Sequence, residues 1–253
     1  MRKTIGSMRL LLLFFLLSVH GLPARAGQVD PRPALHVAAT TPELASLVAA
    51  VGGERVFVDT VQAPAELGDA ALLVRVGLGY EPWLDGMKLP PRLQVADASR
   101  GVRLLHRNPY YWLDPHNGQL ITASILAALV KLSPEDRETF EANRDAFLVR
   151  LSDRIFRWES RLKPLRGATA LALRDEWRYF AERFGLRIVT LAQASAPAAP
   201  KPDFIIADPA SDAREVERLA RKTGAKALTL LTSGEDYVGL FEENVRRLAA
   251  VAR

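Results

Sequence analysis

The chain has no cysteine and only four histidines in 253 residues, and both scarcities remove chemistry. Without cysteine there is no disulfide framework, no lipid-anchor thiol, no thiolate nucleophile and no sulfur donor for a metal. His20 lies in the N-terminal apolar stretch, so the body of the chain keeps His36, His106 and His116. These three are scattered over different segments, which is the pattern of surface or structural histidines and not of a ligand set. No G-x-S-x-G elbow, P-loop or H-E-x-x-H motif occurs, and carboxylates such as Asp97 and Asp208 have no partner that the sequence identifies. The expectation is a binding protein without a cofactor, not an enzyme.

Long apolar runs are also missing. The longest, within Leu10–Val19, is far below the roughly 20 residues that a membrane span needs. It follows the basic residues Arg2, Lys3 and Arg9 and precedes Ala24-Arg25-Ala26, an A-x-A cleavage pattern. Residues 1–26 therefore read as a secretory signal peptide, and the mature protein is expected to be soluble in the periplasm, beginning near Gly27. The charge argument changes with it. The full chain carries 34 basic and 29 acidic residues, and removing Arg2, Lys3, Arg9 and Arg25 leaves 30 against 29. A nearly neutral protein without a basic patch gives no reason to expect a nucleic-acid partner.

What is present reads as two α/β lobes. Leu35 to Ala39 is a short apolar run, and Thr41-Pro42-Glu43 supplies a helix cap, a first helical residue and a first-turn acid. Leu44, Leu47, Val48 and Val51 recur at helical spacing, and Arg55–Val61 and Ala71–Val76 read as further strands. Strand, helix, strand in this order predicts a parallel sheet in an N-terminal lobe over 27–133. From Ser133-Pro134 to Lys163 no Gly or Pro interrupts after the start, and Phe140, Phe147, Leu148, Leu151, Ile155, Trp158 and Leu162 form one stripe. This predicts a long rigid helix over 134–165 joining the lobes, with Ser133 as its cap. A C-terminal α/β lobe over 166–253 follows. It has strands near Ala168–Leu173, Arg187–Leu191, Phe204–Ala207 and Ala227–Leu231, and helices over Glu176–Phe184, Glu215–Thr223 and Tyr237–Val251. Ala192–Pro202 reads as a loop.

Five segments carry a family resemblance. Asn108-Pro109-Tyr110-Tyr111-Trp112-Leu113-Asp114-Pro115 resembles the Asn-Pro-His-x-Trp-Leu-Asp-Pro signature of the periplasmic solute-binding proteins that deliver zinc or manganese to ABC importers. Val37–Pro42 with Val51–Val56 resembles the first strand and helix of that family, and Gly77–Leu84 its Gly-x-Gly-x-Glu-x-Trp-Leu element. Leu173–Phe180 is similar to its (His or Glu)-Asp-x-Trp-x-Tyr-Phe segment, and Thr223–Lys226 to its Thr-Gly-Ala-Lys turn. The resemblance implies two lobes joined by a long helix, an inner-membrane ABC permease or an accessory metal-handling protein as partner, and action as a monomer. The runner-up is a non-transport module that uses the same fold for protein interaction.

The resemblance also implies four metal donors, and this sequence supplies none of them. The loop that would carry the first runs from Val61-Gln62-Ala63-Pro64 straight to Glu66-Leu67-Gly68-Asp69 without a histidine. Tyr110, Arg174 and Leu231 stand at the other three positions. An arginine cannot be deprotonated and leucine has no donor, whereas zinc needs donor atoms at about 2.0–2.3 Å. The expected cleft residues are therefore Tyr110, Tyr111, Arg174, Asp175 and Glu176, in one of two arrangements. Arg174 faces an anion or an anionic metal chelate through forked hydrogen bonds, or it pairs with Asp175, Glu176 or another acid and the cleft is closed.

Overall fold

The alternation of short apolar runs with amphipathic stretches produces two four-stranded parallel sheets in succession. The computed structural model describes residues 33–196 and 200–251. The expected signal peptide and part of the Ala192–Pro202 stretch lie outside the described residues.

The first sheet contains β1 (Leu35–Ala39), β2 (Val56–Thr60), β3 (Leu72–Arg75) and β4 (Gln94–Asp97), in the order β2-β1-β3-β4 with all pairs parallel. Between β1 and β2 runs α1 (Pro42–Gly52), which starts where Thr41 accepts the Leu44 N–H with its hydroxyl and Pro42 occupies the first turn. After β4 comes α2 (Asn117–Leu132), which buries Ile121, Ile125 and Leu129 at steps of four. Sequence reading does not supply β4 and does not bound α2. β4 has only Val95 and Ala96 as apolar residues, with Val95 pointing outward, and α2 dilutes its stripe with alanines.

The long segment is α3 (Arg137–Leu162), flanked by 3-10 turns at Pro134–Asp136 and Lys163–Leu165. Its 26 residues span about 39 Å. Every member of the expected stripe except the half-buried Leu148 is buried. Ser133 does not cap it. Its hydroxyl instead donates to Asp136 at 2.6 Å, and Asp136 pairs with Arg55 at 3.1 Å.

The second sheet repeats the first. It contains β5 (Thr169–Ala172), β6 (Arg187–Thr190), β7 (Phe204–Ala207) and β8 (Lys226–Thr229), in the order β6-β5-β7-β8, again all parallel. Four helices accompany it: α4 (Arg178–Phe184), α5 (Leu191–Ala194), α6 (Ala213–Thr223) and α7 (Tyr237–Ala249). The single turn α5 falls where a loop is expected, because Thr190 and Gln193 form a capping box around it.

One apolar core runs through both sheets, from Val37, Leu72 and Val74 to Ala170, Phe204 and Ile206. Between them Trp158 of α3 stacks on Phe241 of α7, with ring centroids 5.3 Å apart, and Phe180 of α4 lies parallel to Phe241. Gly118 lets α2 into this junction, since a Cβ there would stand 3.0 Å from Leu151 and 3.1 Å from Tyr237. Among the described residues no helix is long and apolar enough to cross a membrane.

Candidate functional site

In each sheet the chain leaves the first strand in opposite directions, so a crevice opens outside the carboxyl ends of the two central strands. Open parallel sheets bind ligands at that switch point. Here it lies between β1 and β3 in the first sheet and between β5 and β7 in the second. The segments leaving both crevices meet each other. Glu43 at the start of α1 accepts the Gly234 N–H at 2.7 Å, and the Trp112 indole donates to the Thr232 carbonyl at 3.1 Å. Tyr237 donates its amide to the Ser46 hydroxyl and its phenol to the Trp112 carbonyl, each at 3.1 Å.

The first crevice is held by a buried carboxylate. Glu81 accepts the Thr40 hydroxyl at 2.6 Å, the Val76 N–H at 2.6 Å and the Gly77 N–H at 3.0 Å, which locks the end of β1 to the end of β3. The loop it ties down is strained. Gly77, Leu78 and Gly79 have φ of 79°, 58° and 79°, a left-handed run in which a leucine is costly. Gly77 is required twice over, since a Cβ would come within 2.6 Å of the Asp97 carboxylate. This loop presents Tyr80. His106 and Arg107, also left-handed, precede the Asn108 turn that presents Tyr110. Tyr80, Tyr110 and Trp112 then meet as a trio, with centroids 5.0–5.8 Å apart in tilted and edge-on contacts.

The second crevice is held by charge. The Arg174 guanidinium reaches Glu176 at 3.3 Å and Asp208 at 3.5 Å, and so bridges the ends of β5 and β7. Both acids are nearly buried, whereas the arginine side chain is 52% exposed. The hydrogen bond to Glu176 is the main reason that Arg174 holds its proton more firmly than usual, followed by the charge of Asp208. Asp208 is further fixed by the Ala210 N–H on Oδ1 at 2.8 Å. Burial, then the Glu176 charge, then a hydrogen bond with Glu176 push the Tyr110 phenol far above its ordinary value. Burial and then the charges of Glu43, Glu81 and Glu176 raise the Tyr80 phenol as well. Both phenols stay protonated across the physiological range, as donors and not as phenolate ligands.

Of the residues expected in the cleft, the structure brings together Tyr110, Arg174 and Glu176. Asp175 lies beside them but turns outward to Arg178, while its carbonyl accepts the Asn108 amide at 2.5 Å. Tyr111 corrects the expectation. It is fully buried, and its hydroxyl donates to the Val76 carbonyl at 2.8 Å, so it supports the first crevice from behind. Asp208, for which the sequence identifies no partner, forms one end of the arginine bridge. The histidines do not converge. His36 lies between Asp59 and Asp69, at 3.1 and 2.6 Å, and His106 is exposed. His116 starts α2 beside Asp114, which caps its amide and holds Arg183 with two bonds. Leu231 has its backbone N–H and carbonyl both taken by Asn244, at 2.8 and 2.7 Å. Among the described residues no group of three or more His, Asp or Glu is arranged to hold a metal ion.

Sequence reasoning missed Glu43, Tyr80 and Trp112 as cleft residues. Tyr80 and Trp112 sit in segments that carry the resemblance and Glu43 directly follows one, but an acid in a first helical turn and aromatics near prolines read equally well as capping and packing.

The model of the family described as zinc-uptake complex component A, periplasmic, matches residues 37–204. The high-affinity zinc uptake system protein ZnuA of Brucella abortus (strain 2308) is 30% identical over 93 residues, which are 36% of this chain and 28% of that protein. The alignment thus spans little more than a quarter of the relative's length. A crystal structure of ZnuA superposes with a TM-score of 0.75 at 20% identity, covering 87% of this chain and all of the other. The periplasmic metal binding protein of Candidatus Liberibacter asiaticus superposes at 0.72 with 16% identity over the same shares. At such identities the structural likeness concerns the fold.

Proposed function

This chain belongs to the periplasmic zinc-uptake component A family, and on that premise we propose that it is the solute-binding component of a metal-type ABC transport system whose cleft does not capture free Zn²⁺ or Mn²⁺. The observation that carries the reading is the Arg174 bridge between Glu176 and Asp208. A permanent cation already sits between the two buried acids that face the second crevice. A divalent ion entering there would meet like charge and two protonated phenols, with no neutral imidazole to replace its water. Of the other acids there, Glu81 is tied by three donors and Asp97 by Arg75 and Ser99.

The same geometry disfavours an anionic ligand or chelate as the partner of Arg174. One guanidinium shared by two carboxylates leaves the crevice negative, and Glu43 adds to that. The protein acts without catalysis, in the periplasm after loss of its leader, and presents its lobes to an inner-membrane permease. A native mass spectrum of the protein purified from periplasm tests the reading. Stoichiometric retained zinc or manganese contradicts it. The metal-free mass, together with recovery of the permease in a cross-linked complex, supports it, and the metal-free mass without any permease contact points to an accessory module.

A further inference from the structure

A second concavity lies on the α2–α3 hairpin and shares no residue with the cleft. It is a groove of about 620 Å³, within the size range of small-molecule sites, with one wall from each helix. The α2 wall is apolar. Ala123, Leu126, Ala127 and Val130 follow one another at steps of three and one, which puts them on a single stripe. The two alanines leave the room that longer side chains would fill.

The α3 wall is charged. Glu141 is taken by Arg137 at 3.4 Å, which leaves Arg144. Arg144 is half-buried and is aimed by neutral oxygens: its Nε donates to the Thr122 hydroxyl at 3.3 Å and its Nη2 to the Gln119 carbonyl at 3.1 Å. Thr122 gives its own proton to the Gly118 carbonyl at 2.7 Å, so it faces the guanidinium as an acceptor. These bonds fix the arginine without neutralising it. Neither Arg144 nor the exposed Lys131, which also lines the groove, forms an ion pair among the described residues. Exposed cations are ordinary, so charge alone assigns nothing. The specific feature is that an aimed cation and an apolar stripe line the same concavity. A cation is repelled there, a small inorganic anion leaves the α2 wall unused, and a neutral hydrocarbon leaves Arg144 unused. A molecule with an anionic head and one apolar tail uses both.

We propose that the groove between α2 and α3 binds a soluble single-chain alkyl carboxylate, its head on the Arg144 guanidinium and its tail along Leu126 and Val130. Arg144 Nη1, which makes no hydrogen bond among the described residues, is the edge that meets the carboxylate. From Ala123 to Val130 the apolar wall runs roughly 10 Å at 1.5 Å per residue, the length of a medium alkyl chain. The methylene stem of Lys131 covers the tail while its ammonium stays in water.

Calorimetric titration with decanoate below its micelle concentration tests this, with decyltrimethylammonium as the probe of equal chain length and opposite charge. The expected result is one-to-one saturation by decanoate alone, weakening as salt rises. Arg144→Gln should lower the affinity by about tenfold or more, since it removes a charged donor. Lys131→Gln should lower it by less than about threefold. Ala127→Glu, at an exposed helical position, puts a negative charge on the apolar wall and should abolish binding. No saturation up to roughly 10 mM, an equal response to decyltrimethylammonium, or unchanged affinity in Arg144→Gln and Ala127→Glu overturns the proposal. If Arg144→Gln does not fold, Ala127→Glu decides alone. Co-sedimentation with phosphatidylglycerol vesicles separates the sources of such a head and tail: vesicle binding without decanoate binding overturns the soluble ligand in favour of a membrane surface. The groove and the cleft have no residue in common, so none of these outcomes alters the receptor reading, which stands or falls on retained metal.

Discussion

The two sheets share strand order, polarity and nearly the same register length, yet they are covered and finished differently. The outer face of the second sheet, with Leu171 and Ile205, lies under α5 and α6 through Leu191, Ala194, Leu219 and Ala220. The outer face of the first, with Ala38, Val61, Leu67 and Leu73, lies under Trp83, Leu84, Met87, Leu89 and Leu93, from a 3-10 turn and the irregular chain after it. Proline explains part of this. Pro64 and Pro82 start 3-10 turns, and Pro90-Pro91 denies a helix before β4. The contrast carries over to the cleft. In the first lobe the site edge is backbone under strain, pinned by Glu81, whereas in the second it is an arginine suspended between acids. The first should therefore respond to changes in packing and backbone, the second to charge and salt.

The largest effect is expected at the point where the two halves meet. Trp112 is 2% exposed, touches three tyrosine rings and donates across to Thr232. Trp112→Ala should cost about 3–5 kcal/mol in denaturant melts. A loss below about 1 kcal/mol would mean that the halves are held together elsewhere. Next comes Gly77→Ala, which forces a left-handed φ and a 2.6 Å clash with Asp97. A loss of about 1–3 kcal/mol is expected, and a neutral result would deny that the first edge is strained.

Arg174→Ala should cost less, on the order of 1 kcal/mol, since a half-exposed ion pair is screened by solvent. Its effect should shrink as salt rises, whereas that of Gly77→Ala should not. Equal salt dependence would erase the contrast between the lobes. The smallest effect concerns Glu243 on α7, whose carboxyl is pulled down to about 2, first by hydrogen bonds from Arg246 and Arg247. A carboxyl depressed in the folded state stabilises above its unfolded value near 4.3 and loses that contribution as pH falls through about 2. Carboxyl NMR should show a midpoint near 2 that rises in Arg246→Ala.

Much of this architecture is legible in the sequence where one physical signal dominates. The α3 stripe and the Thr41-Pro42 start each predict their element to within a few residues. Phe204–Ala207, apolar and buried on both faces, coincides with β7. β4 escapes because an edge strand of four residues needs little hydrophobicity, and α2 because alanines blur its period. The cleft is legible only in part, for a different reason. Sequence neighbours place Arg174 beside Glu176, but Asp208 joins them only because β5 and β7 are adjacent in the sheet. Glu43 meets Gly234 across 191 residues, a contact no local pattern announces.

The central claim is that this member of a zinc-uptake family holds no free divalent ion in its cleft. Calorimetric titration of the chelator-stripped protein with Zn²⁺ tests it most directly. The expected affinity is no tighter than roughly micromolar, about −8 kcal/mol. A one-to-one site at roughly nanomolar affinity would contradict it, and His36→Ala, His106→Ala and His116→Ala would then show which histidine had been misjudged.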